Sequence, residues 1–172
     1  MLEKLQPIPE LQEESAVSFG FPEPDPLAPP LMTLEKISVG YDGRPVLRDL
    51  SLRLDHDDRI ALLGANGNGK STLVKLLAGR LAPLAGNIVK SGKLRIGYFA
   101  QHQADELDVG ATPLLEVARR RPRDTETQHR GHLGRFGFSQ QRADTTIANL
   151  SGGEKARLLF ALMSAAKPHI LL

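Results

Sequence analysis

The run Gly64–Ser71 constrains this chain most, because it matches the pattern G-x-x-x-x-G-K-S. A short apolar run, Arg59–Leu63, precedes it, and leucines at helical spacing follow it, with Gly79 where that helix would end. The sequence therefore predicts a buried strand, a glycine-rich loop and a helix. Backbone N–H groups of such a loop can bind phosphate oxygens, and in that case Lys70 would reach the β- and γ-phosphates and the Ser71 hydroxyl would coordinate Mg²⁺. The simpler alternative is an ordinary glycine-rich turn between a strand and a helix.

A second motif, Leu150-Ser-Gly-Gly-Glu154, precedes an apolar helix. Ser151 and Glu154 have capping-box spacing, which by itself predicts only a well-capped helix. Two glycines in the first turn of a helix cost about 1 kcal/mol each in helix propensity. Their use is to remove side chains from a helix N-terminus, so that its backbone N–H groups can contact an anion.

Composition excludes several classes of protein. The 172 residues include no Cys, so a disulfide scaffold, a thiolate metal site and a cysteine nucleophile are excluded. Aromatic residues make up only 5% and there is no Trp, which argues against a platform that stacks nucleic-acid bases. No apolar run approaches the roughly 20 residues that span a bilayer, and no signal peptide is evident. We expect a soluble, cytoplasmic chain without a membrane-spanning segment.

Residues 1–30 differ in composition from the rest of the chain. They hold seven of the twelve prolines and six acidic residues against one basic residue. Because proline removes backbone donors and fixes φ, we expect this segment to be an acidic linker or tail. Residues 31–172 carry an excess of basic residues, which permits a polyanionic partner without requiring one.

Local patterns predict the remaining elements. Asp42-Gly43 lies between two β-like runs and predicts a hairpin, and a further β pair is expected between 87–90 and 93–99. Helices are expected from about 112 to 148, followed by a last helix after Ser151.

The arginines at 119–123 are most simply a solvated helix end, with a contact to rRNA as the alternative. His129 and His132 lack a third ligand, which favours surface histidines over a metal site.

Together, the glycine-rich loop and the LSGG motif some eighty residues later resemble an ATP-binding cassette (ABC) nucleotide-binding domain over residues 31–172. The resemblance implies the α/β fold of P-loop NTPases, with a core sheet, an antiparallel β-subdomain and a helical subdomain at about 104–149. GYFAQHQ, LSGGEKARL and the acidic, Pro-rich segment resemble the ABC-F group. Those proteins carry two cassettes in one chain without a membrane domain, and many act on ribosomes. Residues 1–30 would end the linker between the cassettes, and 31–172 would be part of the second cassette.

The family resemblance also implies roles for individual residues. ATP and Mg²⁺ would be the ligands, with Tyr41 stacking on adenine and Thr72 adding an α-phosphate contact. Gln101, rather than the nearby Gln103, would sense the γ-phosphate and join Ser71 at Mg²⁺. The residues expected to hold the phosphates are Gly64, Ala65, Asn66, Gly67, Asn68, Gly69, Lys70, Ser71 and Thr72. The residues expected to act in trans, on ATP bound by a second cassette in the same chain or a dimer, are Ser151, Gly152 and Gly153. The ribosome, with its rRNA and tRNA, is the further partner that the resemblance implies.

The sequence departs from the family at its end. In ABC proteins the apolar strand that corresponds to residues 167–172 runs into the Walker B Asp and the catalytic Glu, with a switch His further on. None of the three is present in this chain. We therefore expect a domain that is incomplete at the C-terminus, a fragment of a longer ATPase that is inactive alone. Three alternatives stay open: the ATPase subunit of a membrane transporter, a nucleotide-binding module that does not hydrolyse, and a P-loop kinase with an accidental LSGG.

Overall fold

The computed structural model describes residues 19–99 and 107–172. Its first layer is an antiparallel sheet with the strand order β2-β1-β3. Strands β1 (Met32–Tyr41) and β2 (Arg44–Leu54) form the predicted hairpin, and β3 (Ala85–Lys90) pairs with the other edge of β1. The two turn residues, Asp42 and Gly43, have φ values of 51° and 73°, as a type I′ turn requires. The Asp-Gly pair therefore fixes the register in which β1 meets β2.

A separate two-stranded parallel sheet consists of β4 (Ile96–Gly97) and β5 (Ile170–Leu171). The expected β pair between 87–90 and 93–99 is therefore wrong, because these segments belong to different sheets. Pairing β3 with β1 turns Ile88 toward the apolar side of the antiparallel sheet, and pairing β4 with β5 packs Ile96 and Ile170 against the same apolar cluster. Burial thus favours two non-local pairings over the local one.

Helix α1 (Lys70–Leu77) covers the inner face of the antiparallel sheet. It ends where the sequence predicts, since Gly79 has φ 71° and the Arg80 N–H donates to the Lys75 carbonyl at 2.8 Å. The buried residues that this helix and the sheet share, here called the sheet core, are Met32, Leu34, Ile37, Val39, Leu54, Leu73, Leu76 and Leu77.

The second layer is helical and has its own apolar cluster. Its helices are α2 (Pro113–Arg120), α3 (Glu126–Gly134), α4 (Gln140–Ala143) and α5 (Gly152–Ser164), with a 3-10 turn at Ile147–Asn149. Each helix begins at a Thr or Ser whose side chain accepts a backbone N–H three residues later. The members of this helical core that are fully shielded from solvent are Val117, Leu133, Phe136, Ile147, Leu158 and Ala161.

The predicted buried strand at 59–63 is absent, and this expectation is wrong. The segment has no ladder partner among the described strands, and Leu63 is 91% exposed. Backbone N–H and C=O groups form a strand only where a neighbouring strand supplies their partners, so the apolar composition alone does not order this segment. It borders an open groove of about 290 Å³ that α1 and β5 line on the other sides.

The expectation of surface histidines is also wrong. His129 and His132 are both buried on α3, and each ring donates through Nε2 to a backbone carbonyl, of Arg121 at 2.9 Å and of Ala161 at 2.7 Å. The two side chains therefore hold α3 to the end of α2 and to α5. Burial lowers the pKa of the His132 imidazole below its ordinary value, despite the Ala161 carbonyl, which favours the charged form.

Phe136→Ala tests how much the helical core depends on its largest buried ring. The substitution should lower the free energy of unfolding by about 3–5 kcal/mol, because it removes a fully buried aromatic side chain. The matched control is Leu115→Ala, at a half-exposed position of α2, which should cost less than about 0.5 kcal/mol. Urea unfolding followed by circular dichroism measures both, and equal losses in the two variants would contradict this account of the core.

The buried His132 predicts a pH dependence of stability. Its folded pKa lies below the ordinary value of 6.5, so the unfolded chain binds the proton more readily. The contribution of the neutral His132 to the free energy of unfolding is therefore complete above pH 6.5, and it is lost progressively as the pH falls below 6.5. His132→Gln retains an N–H donor for the Ala161 carbonyl but does not titrate, so its unfolding free energy should fall less steeply between pH 7 and pH 5. Parallel curves for the variant and the parent would refute the assignment.

Candidate nucleotide-binding site

The glycine-rich loop, Gly64–Gly69, lies at the N-terminus of α1 and is largely open to solvent. Gly69 is the N-cap residue with φ 81°, and no side chain caps the helix. The first-turn N–H groups of α1 therefore have no side-chain acceptor and point toward the loop. This arrangement is an anion-binding site made of backbone donors and the positive end of the helix dipole.

Lys70 brings its charge into the loop. Its Nζ donates to the carbonyl oxygens of Gly64 at 2.7 Å and Ala65 at 2.8 Å. Within residues 19–99 and 107–172, Lys70 makes no ion pair, so its charge is not cancelled by a carboxylate there. Among the described residues, the ammonium is thus held by two neutral carbonyl acceptors of the loop.

Only glycine fits at position 69. A Cβ there would lie 2.7 Å from Leu47 Cδ2 and 3.1 Å from Val46 Cγ1, inside van der Waals contact. The positive φ adds backbone strain for any other residue. Strand β2 therefore presses directly against the start of α1, and this contact fixes the loop relative to the antiparallel sheet.

Tyr41 lies at the end of β1, beside α1. Its side chain is 44% exposed, and Lys75 Nζ lies 5.8 Å from the ring centroid. Val46, which lies against Gly69 together with Leu47, is equally exposed. An open aromatic ring thus lies beside a cation of α1, and an open aliphatic side chain lies against the N-cap residue of that helix. No sequence signal predicts either contact, because the partners come from different elements and meet only through packing.

The two expected site residues that follow Lys70 differ in their exposure to solvent. Ser71 is exposed at the start of α1, whereas the neighbouring Thr72 is buried against the sheet core. Gln101 and Gln103 lie outside the described residues. Where the structure describes the chain, no three His, Asp or Glu side chains cluster as a metal site, so Ser71 is the described candidate for Mg²⁺.

The LSGG motif forms the N-terminus of α5, and both bonds of the predicted capping box are present. Ser151 Oγ accepts the Glu154 N–H at 3.2 Å, and Glu154 Oε2 accepts the Ser151 N–H at 2.8 Å. The second of these bonds holds the pKa of the Glu154 carboxyl below its ordinary value. An ion pair with Arg142 at 3.1 Å joins the cap to α4.

Nothing inside the described molecule requires glycine at 152 and 153. A Cβ at either position would meet no atom within 4 Å, and neither residue has a positive φ. Both residues are exposed. Each glycine lowers helix propensity by about 1 kcal/mol without relieving a clash or a positive φ among the described residues.

The arginines at 119–123 are largely neutralised, in line with the simpler expectation for them. Arg119 and Arg120 both pair with the buried carboxylate of Glu116, and Arg119 also reaches Asp108 at 3.1 Å. Arg121 pairs with Asp124. These ion pairs lie at the end of α2 and before the start of α3, and they reduce the positive charge that could attract a polyanion.

The fold and the loop together define a class: a P-loop nucleotide-binding domain. A family model described as "ABC transporter" matches residues 47–172. The chain is 43% identical over 172 residues to the "Probable ATP-binding protein YheS" of Escherichia coli O6:H1, covering 100% of this chain and 27% of that protein. It is 40% identical over 173 residues to "ABC transporter F family member 3" of Arabidopsis thaliana, covering 99% and 24%. It thus spans about a quarter of the length of these relatives.

A solved structure agrees with the sequence comparisons. A bacterial Atm1-family ABC exporter with ATP bound superimposes with a TM-score of 0.67 at 25% identity, over 90% of this chain and 31% of that one. The chain belongs to the ABC transporter family, as an ABC-F-like cassette. This confirms the expected α/β nucleotide-binding fold. The described residues contain no helix long and apolar enough to cross a membrane.

Two glycine substitutions separate the roles of the two motifs. Gly69→Ala should lower the free energy of unfolding by about 1–3 kcal/mol, because it combines a positive φ with a clash against Leu47. Gly153→Ala should raise it by up to about 1 kcal/mol, because it improves helix propensity in open space. Urea titration measures both changes, and a Gly153→Ala variant that is as destabilised as Gly69→Ala would contradict the assignment of the LSGG glycines.

Proposed function

We propose that this chain binds MgATP at the glycine-rich loop, as part of an ABC-F-type ATPase. The observation that carries the proposal is the Lys70 ammonium, which faces two loop carbonyls beside the uncapped N-terminus of α1. Family membership supports the same ligand. Backbone N–H groups from Gly64 to Ser71 would bind the phosphates, with Thr72 adding an α-phosphate contact.

In this proposal, Lys70 exchanges its hydrogen-bond acceptors when the nucleotide binds. On binding, its Nζ gives up the carbonyls of Gly64 and Ala65 and donates instead to β- and γ-phosphate oxygens, which are charged and therefore stronger acceptors. The exposed Ser71 hydroxyl is available to Mg²⁺, which when bound neutralises phosphate charge. Tyr41 would stack on adenine, and Gln101 would sense the γ-phosphate and join Ser71 at Mg²⁺.

The LSGG helix end acts on a different nucleotide in this proposal. Ser151, Gly152 and Gly153 cover the ATP held by a second cassette, in the same longer chain or in a dimer. The support is the exposed first turn of α5, where Gly152 and Gly153 carry no side chain and a Cβ would meet no described atom within 4 Å. Closure of the two cassettes around ATP, followed by hydrolysis and opening, would make the whole protein a nucleotide-timed clamp.

We further propose that the longer protein acts on the ribosome in the cytoplasm. The support is the resemblance of the motifs GYFAQHQ and LSGGEKARL to those of the ABC-F group, together with the ABC-F relatives of this chain. ATP hydrolysis would also require a Walker B Asp, a catalytic Glu and a switch His, which the family carries and residues 1–172 do not include. ATP-dependent sedimentation of the full-length protein with ribosomes tests the proposed ribosomal role, whereas co-purification with a membrane protein would favour a transporter subunit.

Lys70→Ala should weaken MgATP binding by about 10- to 100-fold, because it removes a charge-assisted hydrogen bond to phosphate. Lys90→Ala, which removes the same charge at the exposed last residue of β3, is the matched control and should bind as the parent does. Ser151→Arg should leave binding at the chain's own loop unchanged and prevent ATP-dependent association of cassettes. Equilibrium titration with a fluorescent ATP analogue measures binding, and retained affinity in Lys70→Ala would refute the proposed site.

A further inference from the structure

The segment Phe19–Pro30, here called the strap, runs over the surface before β1 begins. It contains neither helix nor strand, yet it contacts both layers of the molecule. Its first residues lie on the helical core, and its later residues lie beside the sheets. The contacts at its two ends differ in kind, and each end can be released separately by substitution.

The first end is aromatic. The Phe19 ring lies 5.8 Å from the Phe136 ring and 5.6 Å from the Phe160 ring, centroid to centroid. Phe21 meets Phe136 edge-on at 5.8 Å. Phe160 stacks in turn on Phe99 at 4.6 Å, next to β4. The strap thus extends the helical core by two half-exposed rings.

The second end is polar and lies on the sheet side. The Asp25 carboxylate accepts from Arg95 Nη2 at 3.1 Å, and its carbonyl accepts from His169 Nε2 at 2.9 Å. His169 Nδ1 accepts the Arg95 backbone N–H at 3.0 Å, which assigns the ring proton to Nε2. The Leu27 carbonyl accepts from His56 Nε2 at 2.6 Å. Arg95 precedes β4, His169 precedes β5 and His56 follows β2, so this end is tied to both sheets.

The two layers that the strap connects have separate apolar cores. In chain order, β4 on the sheet side is followed by α2 of the helical layer, and α5 is followed by β5. Each contact between two packed cores restrains their relative rotation, as the stacking of Phe99 on Phe160 and the packing of Met163 against Gly97 already do. The strap supplies such a contact, since it is bound to one core by rings and to the other by hydrogen bonds.

We propose that the strap is a releasable brace that fixes the angle between the helical core and the sheet core. Its rings are half exposed, and its ion pair is open to solvent, so each contact is weak. Release of either end therefore frees the rotation without unfolding either core. Because α5 begins in the helical layer and α1 in the sheet layer, the brace sets the separation between Ser151 and Lys70. The inference concerns conformation and does not depend on nucleotide binding.

The test measures the distance between one site in each layer of the full chain, because this distance changes when the angle between the layers changes. The sequence has no Cys, so Asn87→Cys on β3 and Thr127→Cys on α3 give a unique pair of exposed labelling sites across the two layers. Electron–electron double resonance between spin labels reports the distance distribution. One variant, Phe19→Ala with Phe21→Ala, releases the helical end. A second variant, Asp25→Ala with His56→Ala, removes two of the three hydrogen bonds at the sheet end and leaves the helical core untouched. Glu23→Ala, at an exposed strap residue, is the matched control.

A brace acts only while both ends are held, and this predicts a non-additive result. Each end variant should broaden the distance distribution, and the combined variant should broaden it no further than either alone. Glu23→Ala should match the parent. Circular dichroism should show unchanged helix content, and the sheet-end variant alone decides the matter if the phenylalanine variant loses helix. An unchanged distribution in the sheet-end variant, additive broadening in the combination, or equal broadening in Glu23→Ala would overturn the proposal.

Discussion

The packing of α1 against the antiparallel sheet is the interaction on which the candidate site depends. Leu73, Leu76 and Leu77 bury one face of the helix, and Gly69 allows β2 to press against its start. This packing directs the uncapped helix N-terminus toward solvent and leaves Tyr41 beside the same helix. The energy of apolar burial thereby orients a set of polar donors that hydrogen bonding alone would not hold in place.

Two buried titratable groups outside the loop serve structure. Glu116 is paired with two arginines, and His132 lies against the Ala161 carbonyl with its pKa lowered by burial. Both arrangements follow from the cost of an uncompensated charge in an apolar interior. Lys70 is different, because its acceptors are neutral carbonyls that an anion can replace. This contrast separates a candidate binding group from groups that hold helices together.

Expectations that rest on local geometry agree with the structure. The Asp42-Gly43 hairpin, the end of α1 at Gly79 and the capping box at Ser151 are each decided within a few residues. Expectations that require a distant partner do not. The segment 59–63 has the composition of a buried strand but lacks a ladder partner among the described strands, and β3 pairs with β1 rather than with its neighbour in sequence.

The sequence by itself determined the glycine-rich loop, the LSGG helix end and the family, because a fixed spacing of glycine, lysine and serine carries its own backbone chemistry. The tertiary structure decided which groups surround those motifs. It brought Val46 against Gly69, buried both histidines of α3 and laid the Pro-rich strap across two cores. These contacts join residues far apart in the chain, and they are chosen by the burial of apolar surface over the whole fold, which no local pattern encodes.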